Sequence, residues 1–163
     1  MSRGVFYTIA LLIVLVDQAV KAWVRHAVPL EQSIALWPGV FQITHTQNRG
    51  MAFSLLEGAT PLLAAAAFVV IAVIVIAQQR AGSRMSWLYG LALALPLGGA
   101  IGNLIDRLYF KYVTDLFDFR LINFPVFNVA DSAIVIGVAL LALNALSPST
   151  TAEETTRVGD AHR

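Results

Sequence analysis

Asp115 and Asp131 are the residues whose type and setting most suggest chemistry. Asp115 lies in the stretch Val113-Thr114-Asp115-Leu116-Phe117, and Asp131 stands one turn into a long apolar run with Asn128 three residues before it. That spacing puts Asn128 and Asp131 on one helix face. The chain has no cysteine and only three scattered histidines, His26, His45 and His162. A thiol nucleophile, a thiolate metal site and a disulfide framework are therefore excluded, and no Ser-His-Asp order is evident. Two carboxylates brought within about 3 Å cannot both ionise and so share one proton. The ionised member can then activate a water while the protonated member donates to a scissile carbonyl. An acid in the first turn also stabilises a helix by its charge alone, so spacing leaves both roles open for Asp131. Asp118, three residues past Asp115, has no such companion.

Two further groups demand explanation, because each charge at membrane depth costs roughly 2.5–3.5 kcal/mol on insertion scales. Asp17 and Lys21 stand at i and i+4 and can pair. That pair is either an interfacial one, with Lys21 snorkelling outward, or part of a site. Asn103, Asp106 and Arg107 stand at i, i+3 and i+4, which gives one helix face an amide, a carboxylate and a guanidinium. Helix capping plus a bidentate pair would explain them without chemistry. An amide inside an apolar run is costly unless bonded, which weakens that explanation for Asn103.

The elements that must position these residues are membrane helices. Of the 163 residues, 58% are hydrophobic and 13% charged, with a mean hydropathy of +0.72. Soluble domains carry roughly 25% charge. A formal charge of +1 gives no reason to expect a nucleic-acid partner. Four apolar runs, Gly4–Val24, Ala59–Ala77, Trp87–Ile105 and Val126–Leu146, each approach the roughly 20 residues that cross a bilayer core. The alternation of barrel strands is absent, so the expected fold is an all-α membrane protein of four transmembrane helices, with a small extracytoplasmic loop region that has room for a short β-sheet. The first run has no small-residue cleavage site and holds Asp17 and Lys21, which identifies it as a retained helix rather than a leader.

Residues 1–147 thus form one four-helix membrane domain, and 148–163 a polar tail expected to be disordered. The longest loop, Arg25–Gly58, carries an alternating stretch Val40-Phe41-Gln42-Ile43-Thr44 with room for a short strand. Leu108–Pro125 forms a second, aromatic-rich loop on the same membrane face. Four spans put both termini on one side. Lysines and arginines lean slightly toward the other side, a weak argument against a cytoplasmic N-terminus. Gly98 and Gly102 allow close helix approach, with packing as their expected role. Two rival readings are a Ser-Lys peptidase, using Ser54 or Ser132 with Lys21 or Lys111, and a channel with Asp17, Asp106 and Asp131 along an ion path. The channel needs polar residues reaching both faces, whereas here they gather at one.

Five ordered segments resemble the motifs of bacterial lipoprotein signal peptidase (signal peptidase II). They are Asp17-Gln18-Ala19-Val20-Lys21, Asn48-Arg49-Gly50-Met51-Ala52-Phe53-Ser54, Gly98-Gly99-Ala100-Ile101-Gly102-Asn103-Leu104-Ile105-Asp106-Arg107, Val113-Thr114-Asp115 and Phe127-Asn128-Val129-Ala130-Asp131-Ser132. One short motif is weak, but five in register are strong. The resemblance implies an aspartic endopeptidase of the bacterial inner membrane that removes the signal peptide from lipid-modified prolipoproteins, just before the diacylglyceryl-modified cysteine. It puts the catalytic dyad on Asp115 and Asp131 and supporting polar residues on Asp17, Asn48, Gly50, Asn103, Arg107 and Asn128. Lys21, Phe53 and Asp106 complete the expected set, with Phe53 covering substrate. The resemblance also implies cytoplasmic termini and a site near the outer face. The expected partners are the prolipoprotein and membrane lipids, with the enzyme a monomer and no cofactor or metal. Two positions depart from the family's usual pattern: Met51 where alanine is common, and Leu116 where phenylalanine is common. Both are apolar exchanges, expected to alter packing and retain chemistry.

Overall fold

The computed structural model describes residues 1–50, 58–82, 85–122 and 124–146. Phe53, its neighbours Met51, Ala52 and Ser54, and the tail 148–163 lie outside the described residues. Four helices, α1 (Arg3–Ala27), α2 (Thr60–Ala81), α3 (Trp87–Tyr109) and α4 (Val129–Leu146), are long and apolar enough to cross a membrane. Three strands, β1 (Ser33–Trp37), β2 (Phe41–Asn48) and β3 (Val113–Phe119), form one antiparallel sheet in the order β1-β2-β3. The short strand foreseen around Val40–Thr44 is the start of β2. β1 and β3 fall in segments that read as loop.

The helix ends differ from the limits of the apolar runs for physical reasons. α1 continues past Val24 to Ala27 because Arg25 and His26 suit a helix C-terminus. α3 runs on to Tyr109 since its polar last turn finds partners within the protein. α2 extends to Ala81, past the apolar limit at Ala77. α4 starts at Val129 rather than Val126, because Phe127 bridges to Phe117 of β3 and Asn128 caps the helix. The Asn128 side chain accepts from the Asp131 N–H at 2.9 Å, and Asp131 Oδ2 accepts from the Asn128 N–H at 3.2 Å. This reciprocal pair is a capping box.

α3 is the central helix, packed against the other three, and most of its length is buried. Lipid supplies no hydrophobic drive between helices, so close van der Waals approach decides the packing. A Cβ at Gly98 would lie 2.6 Å from the Ala10 carbonyl of α1. At the end away from the sheet, Phe6, Ile74, Met85 and Leu97 form an apolar cluster on which Leu141 packs. There Arg3 donates to the Gln79 carbonyl at 3.2 Å and Tyr7 to Gln78 Oε1 at 3.2 Å. A second cluster, Val24, Val28, Ile43 and Leu116, joins α1 to the sheet. Leu116, one of the two apolar exchanges, is fully buried there. The sheet therefore sits at the C-terminal end of α1 and the N-terminal end of α4.

Candidate active site

At that end of the bundle the two aspartates come together around Asn128. Its Nδ2 donates to Asp115 Oδ1 at 2.6 Å, while its side-chain oxygen and backbone N–H hold Asp131 in the capping box. Asn48 Nδ2 donates to the other oxygen of Asp115 at 2.9 Å, and Asn103 Nδ2 donates to Asp131 Oδ1 at 2.8 Å. Three asparagines from β2, α3 and the α4 cap thus aim N–H donors at two carboxylates. Asp131 is thus a helix stabiliser through the cap, and its charge also bears on Asp115.

The electrostatics of Asp115 follow from this placement. It is 2% exposed, and burial together with the Asp131 charge pushes its carboxyl up to about 7. The amides of Asn48 and Asn128 and the Lys21 ammonium oppose that rise without cancelling it. Desolvation and a nearby like charge both favour the neutral acid, so Asp115 carries a proton up to neutral pH.

Behind the pair lies a buried ionic cluster. Lys21 is fully buried rather than snorkelling outward. Its ammonium meets Asp17 Oδ2 at 2.9 Å, Asp106 Oδ2 at 3.4 Å and Asn103 Oδ1 at 2.8 Å. Three acceptors for three N–H donors replace water, which removes the reason to reach the interface. A Cβ at Gly102 would lie 2.6 Å from Asp17 Oδ2, so this glycine makes space for the carboxylate and does more than pack helices. Asn103, Asp106 and Arg107 do share one end of α3, but their partners diverge. Asp106 turns to α1 and β3, and Arg107 donates to the Gly50 carbonyl at 3.3 Å. Gly50 in turn donates its N–H to Asn48 Oδ1 at 2.9 Å, which fixes the amide that touches Asp115.

Several residues of this region were not singled out by sequence. Gln18 Nε2 lies 3.1 Å from both the Gly102 carbonyl and Asp106 Oδ1. Arg25 donates to Thr114 Oγ1 at 2.9 Å, approaches Asp106 at 3.7 Å and lies 4.4 Å from the centroid of the Phe110 ring. Gln18 belongs to the first motif, and helical spacing from Asp17 and Lys21 could have flagged Arg25. Asp118 is not a free surface acid: it is buried and accepts from Gln42, Thr44 and Arg120 at 2.8, 2.8 and 2.9 Å. Ser132 donates to the Asn128 carbonyl at 3.0 Å, so the buried lysine and this serine are each engaged elsewhere and form no Ser-Lys pair. Among the described residues no three His, Cys, Asp or Glu side chains group as metal ligands.

Fold and site together define a polytopic membrane protein with a paired-carboxylate centre at one end of its bundle. The model of the family described as "Signal peptidase (SPase) II" matches residues 9–147. A lipoprotein signal peptidase of Halothermothrix orenii is 44% identical over 137 residues, covering 84% of this chain and 92% of the relative. One of Pseudomonas putida is 43% identical over 150 residues, covering 88% and 87%. Two solved structures, described as bacterial membrane enzymes obtained by the in meso method, share 28% identity. They have TM-scores of 0.82 and 0.80, and cover 88% and 90% of this chain and 88% and 96% of their own. The chain belongs to the signal peptidase II family. It is therefore a multi-pass membrane peptidase.

Proposed function

We propose that this protein is an aspartic endopeptidase that removes the signal peptide from diacylglyceryl-modified prolipoproteins, cutting just before the lipidated cysteine. The observation that carries the reading is Asn128, whose amide bonds Asp115 while its cap bonds Asp131. Two acids so placed hold one proton between them. The ionised member takes a proton from water as its oxygen attacks the scissile carbonyl, and the protonated member donates to the carbonyl oxygen. The tetrahedral adduct collapses as the C–N bond breaks, and the dyad returns a proton to the leaving amine. Asn103 and Asn48 steer the two carboxylates throughout, and Arg107 holds the Asn48 segment through Gly50. Gly50, Asn48, Asn103, Asp106, Arg107, Asn128, Asp17 and Lys21 form the supporting set. Phe53, outside the described residues, is kept as a cover for substrate.

A lipidated substrate comes from the bilayer, so the site opens sideways at the interface. The exposed aromatics Trp37, Tyr109, Phe119 and Phe124 near it suit that depth. The protein is read as a monomer of the inner membrane with both termini cytoplasmic and the dyad near the outer face. Its tail 148–163 is read as cytoplasmic. Cleavage of a diacylglyceryl-modified prolipoprotein tests the mechanism. Asp115→Asn and Asp131→Asn should each abolish cleavage with membrane insertion intact, and the double variant should be hardly worse, because the pair acts as one unit. Glu31→Gln, at an exposed acid of the loop, serves as the control. Substantial cleavage by both single variants would remove the aspartic mechanism.

A further inference from the structure

Each aspartate of the dyad follows a residue whose peptide N–H is held by a buried acid. The Ala130 N–H, just before Asp131, donates to Asp17 Oδ1 at 2.9 Å. The Thr114 N–H, just before Asp115, donates to Asp106 Oδ2 at 3.0 Å. Asp17 and Asp106 come from different helices and are both fully buried, and Lys21 joins them. Its third partner, Asn103 Oδ1, belongs to the amide whose Nδ2 bonds Asp131. Thr114 is fixed further by Arg25 at its hydroxyl and by Asn128 at its carbonyl, the latter at 3.5 Å.

We infer that Lys21 is a positioning residue for the dyad: its ammonium binds the two carboxylates that each anchor the backbone leading into one aspartate, and so sets how the pair faces itself. The inference deepens the peptidase reading above and rests on it. β3 and the start of α4 are tied on one side by the Phe117–Phe127 bridge and by Asn128. The lysine that reaches both anchors ties them a second time, from the α1 side. The cluster is balanced, with Asp17 and Asp106 against Lys21 and Arg25, as a buried ionic group must be to persist. The same ammonium adds positive charge beside the pair. Asp115 is faced by Lys21 from α1, Asn48 from β2, Arg107 from α3, Asn128 at the α4 cap and Asp131 from α4. Of the two cations, only Lys21 also grips both backbone anchors.

The test compares wild type, Lys21→Met and the double variant Lys21→Met/Asp106→Asn in cleavage of the diacylglyceryl-modified prolipoprotein. The double variant keeps the buried charge balanced, and its amide oxygen can still accept from Thr114, so it reads the hub where the single variant fails to fold. Misplacement by about 1 Å costs roughly 100-fold. The folded variants should therefore lose about 10- to 100-fold in kcat at unchanged KM, and Lys21→Met, which alone loses net positive charge, should also move its pH–rate profile to higher pH. Wild-type kcat in a folded variant, or a loss of kcat in Lys21→Met with an unmoved pH profile, overturns the positioning role. So does failure of both variants to accumulate as folded protein, which would make the cluster a folding element. Failure of the peptidase reading is distinct, because there the wild type itself would not cleave or Asp115→Asn would cleave normally.

Discussion

Asp115 accepts an amide N–H on each oxygen and still holds its proton to about pH 7, because burial and Asp131 outweigh those two bonds. That has a consequence for stability. In an unfolded chain the carboxyl ionises near 4, whereas in the folded protein it does so near 7. The folded-state value is raised, so the contribution is fully present below about pH 4 and is lost as pH rises to about 7. A shift of that size corresponds to about 4 kcal/mol at most. Asp115→Asn does not titrate, so its apparent melting temperature in detergent should gain on wild type between pH 4 and 8. Comparing one variant with wild type across pH cancels any fixed cost of an amide facing the Asn48 or Asn128 donors. A difference in melting temperature that stays flat with pH would place the raised acidity elsewhere. Metal independence is argued from the same atoms. Among the described residues no third His, Cys, Asp or Glu joins the two carboxylates to complete a ligand set, and the amides of Asn48, Asn103 and Asn128 already satisfy their oxygens. A chelator should leave cleavage unchanged, and loss restored by one specific divalent ion would refute this.

The elements that carry these residues were legible to different degrees. Four membrane helices follow from apolar runs alone, since a bilayer rewards length and apolarity over any detail of sequence. A small sheet in the loop region was legible through the alternation that became β2, whereas β1 and β3 were not. β3, Val113-Thr114-Asp115-Leu116-Phe117-Asp118-Phe119, places buried acids on both of its faces, which masks the apolar alternation that marks a strand. Asp118 looked solitary because two of its three partners, Gln42 and Thr44, lie far away in sequence and meet it only through the β2–β3 register. Lys21 looked interfacial for a similar reason, as Asn103 and Asp106 reach it from another helix. Helical spacing did put Asn103, Asp106 and Arg107 together, but could not say that Asn103 and Asp106 share Lys21 while reaching on to α4 and β3, or that Arg107 turns to Gly50. Asn103→Ala removes the donor to Asp131 and an acceptor of Lys21, and Arg107→Ala releases Gly50 and with it Asn48. A lost partner at a buried site costs roughly 1–3 kcal/mol, or about tenfold to a hundredfold in rate if it falls on site geometry. Turnover should drop in both variants while the protein still inserts. Wild-type turnover in both would reduce this face of α3 to a helix cap.

Across the described residues, the arrangement is a bundle with an apolar cluster at one end and its buried ion pairs at the other. α3 runs between them with Met85 and Gly90 near its start and Asp106 near its close. A channel would need polar side chains along that length, and the middle of α3 offers Ala92, Leu93, Ala94, Pro96 and Leu97 instead. Which end faces the cytoplasm is a separate question, and the structure changes how its charges are weighed. Lys21, Arg25, Arg107, Arg49, Lys111 and Arg120 lie toward the sheet, against Arg3 and Arg80 at the other end. Lys21, Arg25 and Arg120 are engaged in ion pairs within the protein. A lysine buried between two carboxylates is no interfacial anchor, so the excess toward the sheet narrows and the positive-inside bias opposes cytoplasmic termini only weakly. The absence of cysteine makes this measurable with one thiol at a time. Gln79→Cys places it at the exposed end of α2 beside the N-terminus, and Glu31→Cys places it in the exposed loop before β1. With a membrane-impermeant maleimide on intact cells, whose outer membrane is opened where one is present, Glu31→Cys should label at once. Gln79→Cys should label only after the inner membrane is permeabilised. The reverse order would put the dyad on the cytoplasmic side, where an exported prolipoprotein could not present its cleavage site to it.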